Sequence, residues 1–242
     1  MSSRDLLTSY ILSNFPSVHE GLDDLIEKKT QTIIDSCNNR KFETVLSVGF
    51  SLSALGLAKR GYKVKFIEVD IDDFNDLLDD RMDVQNINVM DFKTTEKFDL
   101  VLALDQRFTR ESTEDKQKDL ALKLKSLCKC SIVTTLRDFK NLKFNERNFD
   151  EPLNVIFDST ELVIVEQRRW DREDRQLWQN KIFLIIDNTV KVFGGDTRRT
   201  MYFKQLAKYF YDLQIKNFSI NNNTLLKPMF SRAYEHIIVI DV

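Results

Sequence analysis

The sequence predicts a three-layer α/β fold in which helices cover both faces of a sheet of parallel strands. Three observations carry the prediction. Between Lys41 and Leu136, short apolar β-branched runs alternate with helical periodicity at the spacing of βαβ units. Only 6 Gly and 3 Pro occur in 242 residues, which excludes collagen-like, linker-like and Gly/Pro-rich disordered chains. Three of those glycines, Gly49, Gly56 and Gly61, fall within one strand-helix-strand stretch.

Residues 3–14 and 19–38 read as two helices broken at Pro16, the second with Leu22, Leu25, Ile26, Ile33 and Ile34 at helical spacing. The period then changes. Thr44-Val45-Leu46-Ser47-Val48 reads as a buried strand that stops at Gly49. A helix follows from about Ser51 to Arg60, with Gly61 as its C-cap. Lys63 to Val69 is the second strand, the acidic stretch 71–81 a third helix, Val84 to Val89 a third strand and Phe98 to Leu104 a fourth. Glu111 to Leu127 reads as a helix with Leu120, Leu122, Leu124 and Leu127 inward, and Ser131 to Leu136 as the fifth strand.

After residue 140 the rhythm alters. Leu153–Phe157, Glu161–Gln167, Lys181–Ile186 and Val190–Phe193 are strand-like with little helix between them, which favours antiparallel pairing. Thr200 to Leu213 returns to helix, with Met201, Phe203, Leu206, Ala207, Phe210 and Leu213 on one side. Lys216–Ile220 and Ile237–Ile240 end the chain as strands. The expected organisation is N-terminal helices over 1–40, a sheet domain over 41–187, and a β and helical extension over 188–242 packed on that domain.

Net charge is -2, which gives no overall electrostatic footprint for nucleic acid and leaves only local basic patches. Three cysteines (Cys37, Cys128, Cys130) and two histidines make neither a disulfide framework nor a well-supplied metal site, so no metal is expected. No leader pattern and no run of 18 apolar residues is present, so a soluble, cytoplasmic protein is expected.

The residues that could carry chemistry gather at strand ends. A strand stopping in a glycine turn before a helix offers backbone N–H groups to an anionic ligand group, and Ser47-Val48-Gly49-Phe50-Ser51 is such a turn. A turn that needs one glycine for steric reasons fits the same residues. Glu68, nineteen residues after Gly49 and followed by Val69, stands at the tip of strand two, where a carboxylate can accept hydrogen bonds from both ribose hydroxyls. Met90 and Asp91 end strand three, placed for an adenine ring and its amino group. Leu104 and Asp105 end strand four.

In these residues the sequence resembles the class I S-adenosylmethionine-dependent methyltransferases over about residues 43–136, with an extension to 187. The resemblance implies a Rossmann-like methyltransferase sheet with S-adenosylmethionine as cofactor. By the same resemblance Ser47–Ser51 faces the methionine part of the cofactor, Glu68 the ribose, Met90 and Asp91 the adenine, and Leu104–Asp105 the reaction cleft, with Asp105 the candidate catalytic residue. The usual acid and alternating glycines of the first strand are eroded: Ser47 replaces the acid, and bulky Phe50 sits where small residues are usual. A nucleotide-cofactor oxidoreductase is disfavoured by the single-glycine turn.

The family's terminal hairpin is expected from Glu161–Gln167 and Lys181–Ile186. Their connector carries Arg169, Trp170, Arg172 and Trp178, candidates to hold a substrate by stacking and forked hydrogen bonds. A salt-bridged turn with its tryptophans packed on the core is the other reading. No Asn/Asp-Pro-Pro-aromatic motif follows strand four, and a lysine–aspartate–lysine–glutamate set for ribose methylation can be assembled only by free choice, from Lys28, Asp105, Lys140 and Glu166. The chain is also similar to uncharacterised methyltransferase-like proteins of marine cyanophages. The expectation is therefore methyl transfer to an unknown acceptor; the alternative is a methyltransferase-fold interaction protein without turnover, a phage component, with a protein partner or larger assembly.

Overall fold

The computed structural model describes residues 3–38, 40–69, 74, 77–78, 82–137, 147–149, 152–221 and 235–242. Helix α1 (Ser3–Asn14) buries Leu7, Ile11 and Leu12, one helical stripe. Pro16 then opens a 3-10 turn, Pro16–Gly21, where its missing N–H costs nothing, and α2 (Leu22–Ser36) follows with Leu22, Ile26 and Ile33 inward. The expected helix over 71–81 lies mostly outside the described residues.

Seven of the described strands form one sheet in the order β11-β12-β5-β4-β1-β2-β3. Its parallel centre comprises β1 (Thr44–Val48), β2 (Lys63–Ile67), β3 (Asp83–Gln85), β4 (Phe98–Ala103) and β5 (Cys128–Arg137). Helix α3 (Leu52–Lys59) joins β1 to β2, and α4 (Glu114–Leu127) joins β4 to β5. Alternation along the strands divides the core. Val45, Phe66, Leu102 and Val133 face α1, α2 and α3, while Leu46, Ile67, Val101 and Ile132 face α4 and α5 (Phe203–Asp212). Of the leucines expected inward on α4, Leu122 faces solvent, 54% exposed. Leu120 and Leu124 hold that face at a spacing of four, and a residue two positions from each necessarily points away.

The hairpin at the end of the sheet is not the one expected. It is built by β11 (Asn217–Asn221) and β12 (Glu235–Asp241), with β12 antiparallel to β5 from Glu235↔Arg137 to Asp241↔Ser131. A doubly bonded ion pair fixes its end, Arg40 Nη1 and Nη2 donating to Asp241 Oδ1 and Oδ2 at 2.6 and 2.8 Å. Glu161–Gln167 and Lys181–Ile186 instead belong to a second, wholly antiparallel sheet of β6 (Arg147–Phe149), β7 (Leu153–Phe157), β8 (Thr160–Trp170), β9 (Leu177–Ile186) and β10 (Thr189–Arg199). Period-2 alternation specifies a strand's two faces, not the sheet it joins.

The second sheet packs on α1 through β9 and β10, with Tyr10 against Phe193 at 5.7 Å, and contributes Leu162, Ile164, Ile182 and Leu184 to the first core. The far end of β10 packs against the residues just after β4. That packing brings a segment some ninety residues distant in sequence onto the carboxyl ends of the parallel strands. No helix among the described residues is long and apolar enough to cross a membrane.

Candidate functional site

The turn after β1 is held by its own side chains. Gly49 has φ +89, a left-handed conformation that favours glycine, and its N–H donates to the Ile67 carbonyl at 2.8 Å. Ser47 Oγ donates to the Gly49 carbonyl at 2.8 Å, and Ser51 Oγ accepts from Ala54 N–H at 3.0 Å, capping α3. The hydroxyls of both serines are thus spent on the turn. Phe50 is partly buried against the first core and stacks on Phe74, ring centroids 3.9 Å apart and 9° from coplanar. The space beside Gly49 faces Arg110, whose Nη1 would lie 4.0 Å from a Cβ added at the glycine.

Glu68 follows β2 with φ +59, and Asp105 and Gln106 follow β4 with φ +51 and +54. Left-handed non-glycine residues are uncommon, and three of them at the tips of β2 and β4, on either side of β1, mark a locally over-determined site. Gln106 is held by its N–H on Thr135 Oγ1 at 3.0 Å and by its carbonyl, which accepts from Thr109 N–H at 2.8 Å. The 3-10 turn Arg107–Arg110 built on it delivers two guanidinium groups. Arg107 meets Glu68 side-on, Nε to Oε2 at 2.9 Å and Nη2 to Oε1 at 2.8 Å, while its Nη1 reaches Glu111 at 2.7 Å. Val89 N–H also donates to Glu68 Oε1, at 2.9 Å. Burial alone would raise the Glu68 carboxyl, but the Arg107 charge and these hydrogen bonds outweigh it and hold the group below its usual range. Arg110 Nη2 donates to Asp105 Oδ2 at 2.7 Å.

Glu68, Arg107, Arg110 and Glu111 line a cleft of about 410 Å³, joined by Asn86 and Asn88 from the segment after β3 and by Asp196 and Thr197 from β10. A larger cavity of about 900 Å³ opens at the opposite end of the strands, by Thr44, Lys63 and Phe98, the first residues of β1, β2 and β4. Ligands of open α/β sheets bind outside the carboxyl ends of the strands, so the smaller, polar cleft is the candidate site.

The expected cofactor residues divide accordingly. Glu68 lines the cleft, and Gly49 and Asp105 adjoin it through Arg110. Val48 and Val69 are buried in the core and Leu104 is half-buried against it. Met90 and Asp91 are exposed in a turn beyond β3, which ends at Gln85, so Asn86 and Asn88 take the place expected for them. The ribose-methylation set is dispersed: Lys28 pairs with Asp24 on α2, Glu166 with Arg137 at 3.7 Å, and Lys140 lies outside the described residues.

Trp170 and Trp178 are 5% and 1% exposed, 6.1 Å apart, so their bulk packs inward as the structural reading held. Their edges, with exposed Arg169 and Arg172, still line a second cavity of about 440 Å³. The residues sequence reasoning missed are Arg107, Arg110, Glu111, Asn86, Asn88, Asp196 and Thr197. Only the run Arg107-Phe108-Thr109-Arg110, directly after a strong strand, offered a local signal.

No protein-family model and no curated protein sequence matches the chain. Solved structures do. A S-adenosylmethionine-dependent methyltransferase from Clostridium acetobutylicum is 14% identical with a TM-score of 0.67, over 89% of this chain and 91% of that one. DesVI from Streptomyces venezuelae is 10% identical with a TM-score of 0.71, over 99% and 98%. CalS10, an amino pentose methyltransferase from Micromonospora echinaspora solved with S-adenosylmethionine bound, is 11% identical with a TM-score of 0.66, over 91% of each. The likeness is one of fold: the chain has the Rossmann-like α/β architecture of these proteins.

Proposed function

We propose that the chain is an S-adenosylmethionine-dependent methyltransferase acting on an acceptor still to be identified. The observation that carries the reading is the cleft itself, where Glu68 at the tip of β2 and the Gly49 turn at the tip of β1 stand beside one guanidinium, Arg110. The donor set fits the cofactor's parts. Arg110 faces the glycine turn, where the cofactor's amino-acid carboxylate would pair with it, and Glu68 faces the ribose position. Asn86 and Asn88 offer amide groups for the adenine edge. A volume of about 410 Å³ falls within the ~300–1,000 Å³ of small-molecule sites.

Methyl transfer asks little of side chains, because the sulfonium supplies an activated methyl group and the protein aligns the acceptor and excludes water. Asp105, the candidate catalytic residue, lies between cofactor and acceptor sides, its Oδ2 2.7 Å from Arg110 and 4.0 Å from Arg198. Titration calorimetry with S-adenosylmethionine and S-adenosylhomocysteine tests the reading. Micromolar affinity, about -8 kcal/mol, is expected, falling roughly tenfold with Glu68→Ala or Arg110→Met. Absence of binding heat by the wild-type protein at millimolar ligand would sink it.

A second reading, a methyltransferase-fold interaction protein without turnover, draws on the Arg107–Glu68 pair. Three donors occupy Glu68, leaving about one of its four acceptor positions for a ribose hydroxyl rather than room for two.

A further inference from the structure

The antiparallel sheet has two faces, and its core covers one of them. Alternation points Leu162, Ile164, Ile182 and Leu184 inward. Their neighbours along β8 and β9 point the other way. Register sets Val163, Ile185 and Val190 side by side in one cross-strand row, and Val165, Phe183 and Val192 in the next. None of these six packs against either core. Val190 and Val192 are 57% and 55% exposed, and Ile156, opposite Glu161 on the same face, is 72% exposed. The open face of an antiparallel sheet ordinarily alternates to polar residues, so two contiguous apolar rows across three strands mark a face that something covers.

Charge identifies the cover. The outward positions on β8 run from exposed Glu161 at one end, through Val163 and Val165, to exposed Arg169 at the other. On β9, exposed Lys181 lies opposite Gln167, at the Arg169 end. The face is therefore acidic at one end, apolar in the middle and basic at the other. Glu161 and Arg169 each stand four residues from Val165. A two-fold axis lying across the strands at the Val165–Phe183–Val192 row would bring a second copy face to face with its strands reversed. Glu161 of each copy then meets Arg169 of the other. An axis along the strands would set acid over acid and base over base. The pattern is thus complementary to itself in one orientation, as an isologous dimer requires. Size agrees. The four strands β7 to β10, about 4.8 Å apart, and nine residues at ~3.3 Å give a flat footprint of roughly 600 Å², of the order of the ~800 Å² per partner in a standard interface.

We propose that the outer face of the antiparallel sheet binds a second copy of this chain, strands reversed, with the two apolar rows at the centre and Glu161–Arg169 pairs at both ends. The proposal does not depend on the methyl-transfer reading.

Sedimentation equilibrium of the full chain tests it. At about 10 µM and above the wild-type protein is expected to have twice the chain mass, since interfaces of this size bind at micromolar strength or tighter. Phe183→Lys puts a charge in the central row and is expected to give a monomer at the same concentration. Val192→Lys, at a position already 55% exposed, takes its place if circular dichroism shows that Phe183→Lys is misfolded. The orientation has its own readout. Glu161→Arg and Arg169→Glu are each expected to raise the dimer dissociation constant roughly tenfold or more, because each sets like charges together at both ends, and the double reversal to return it to within about threefold of wild type. A wild-type monomer at 10 µM and above, a dimer that the central lysine leaves intact, or single reversals that the double reversal does not rescue overturns the proposal. So does a wild-type monomer that binds phosphatidylserine vesicles through Phe183, a result that assigns the face to a membrane surface.

Discussion

Glu68 and Arg107 are 13% and 4% exposed at the side chain, so each compensates the buried charge of the other. Arg107→Met is expected to destabilise the fold by about 3 kcal/mol, the cost of stranding one member of a buried pair, as read by urea unfolding. The folded-state carboxyl of Glu68 lies below its usual value, so its contribution is present above the unfolded pKa near ~4.3 and is lost as pH falls through the folded value. Asp99 behaves likewise. Burial raises it, but the N–H groups of Glu43 and Thr44, the Thr44 hydroxyl and Lys129 hold it down at about 2. It ties the start of β1 to β4, and Asp99→Asn is expected to flatten the loss of stability between about pH 4 and pH 2 in acid titrations of the melting temperature. Burial pushes the Cys37 and Cys128 thiols to about 12, while Cys130 is exposed. Iodoacetamide at neutral pH is therefore expected to add one label to the native chain and three after denaturation, by intact mass. At this scale the sequence made Glu68 legible, because an acid directly after a β-branched run has one natural place. Arg107 was illegible, since its partner is fixed by a left-handed turn at Asp105 and Gln106 that no propensity encodes.

Glycine scarcity first pointed to the stretch from Gly49 to Gly61, and each glycine there has its own reason. Gly49 and Gly61 take positive φ, whereas Gly56 lets α3 approach α2: an added Cβ would lie 1.9 Å from Thr30 Oγ1 and 2.8 Å from Ile26 Cγ2. Gly56→Ala is expected to cost about 1–3 kcal/mol despite its better helix propensity, and Thr30→Ala in the same chain to recover part of it, by thermal unfolding. Most of the elements from β1 to β5 were readable because each buried strand carries an apolar run between turn signals. The terminal hairpin was misassigned because β8 and β9 give the longer alternating signal, while the partner of Ile237–Ile240 is set by register with β5, a pairing over a hundred residues away. Asn86 and Asn88 were missed for a related reason, β3 being three residues long and ending before the acid that drew attention.

In the whole molecule the antiparallel sheet is an insertion between β5 and the last strands, and the insertion brings Asp196 and Thr197 onto the cleft. The parallel sheet is completed only by the C-terminal residues. Ending the chain at Lys216 removes β11 and β12, leaves the β5 edge unpaired and uncovers core around Ile132 and Val133, so loss of the cooperative melt and aggregation in size-exclusion chromatography are expected. The proposed role of the cleft stands or falls with a cofactor bridging the tips of β1 and β2. The most direct measurement is a crystal structure grown with saturating S-adenosylhomocysteine. The expected result is ligand in the cleft, a ribose hydroxyl on Glu68 and the carboxylate on Arg110 beside Gly49. An empty cleft with Arg107 and Arg110 in their present positions would contradict it.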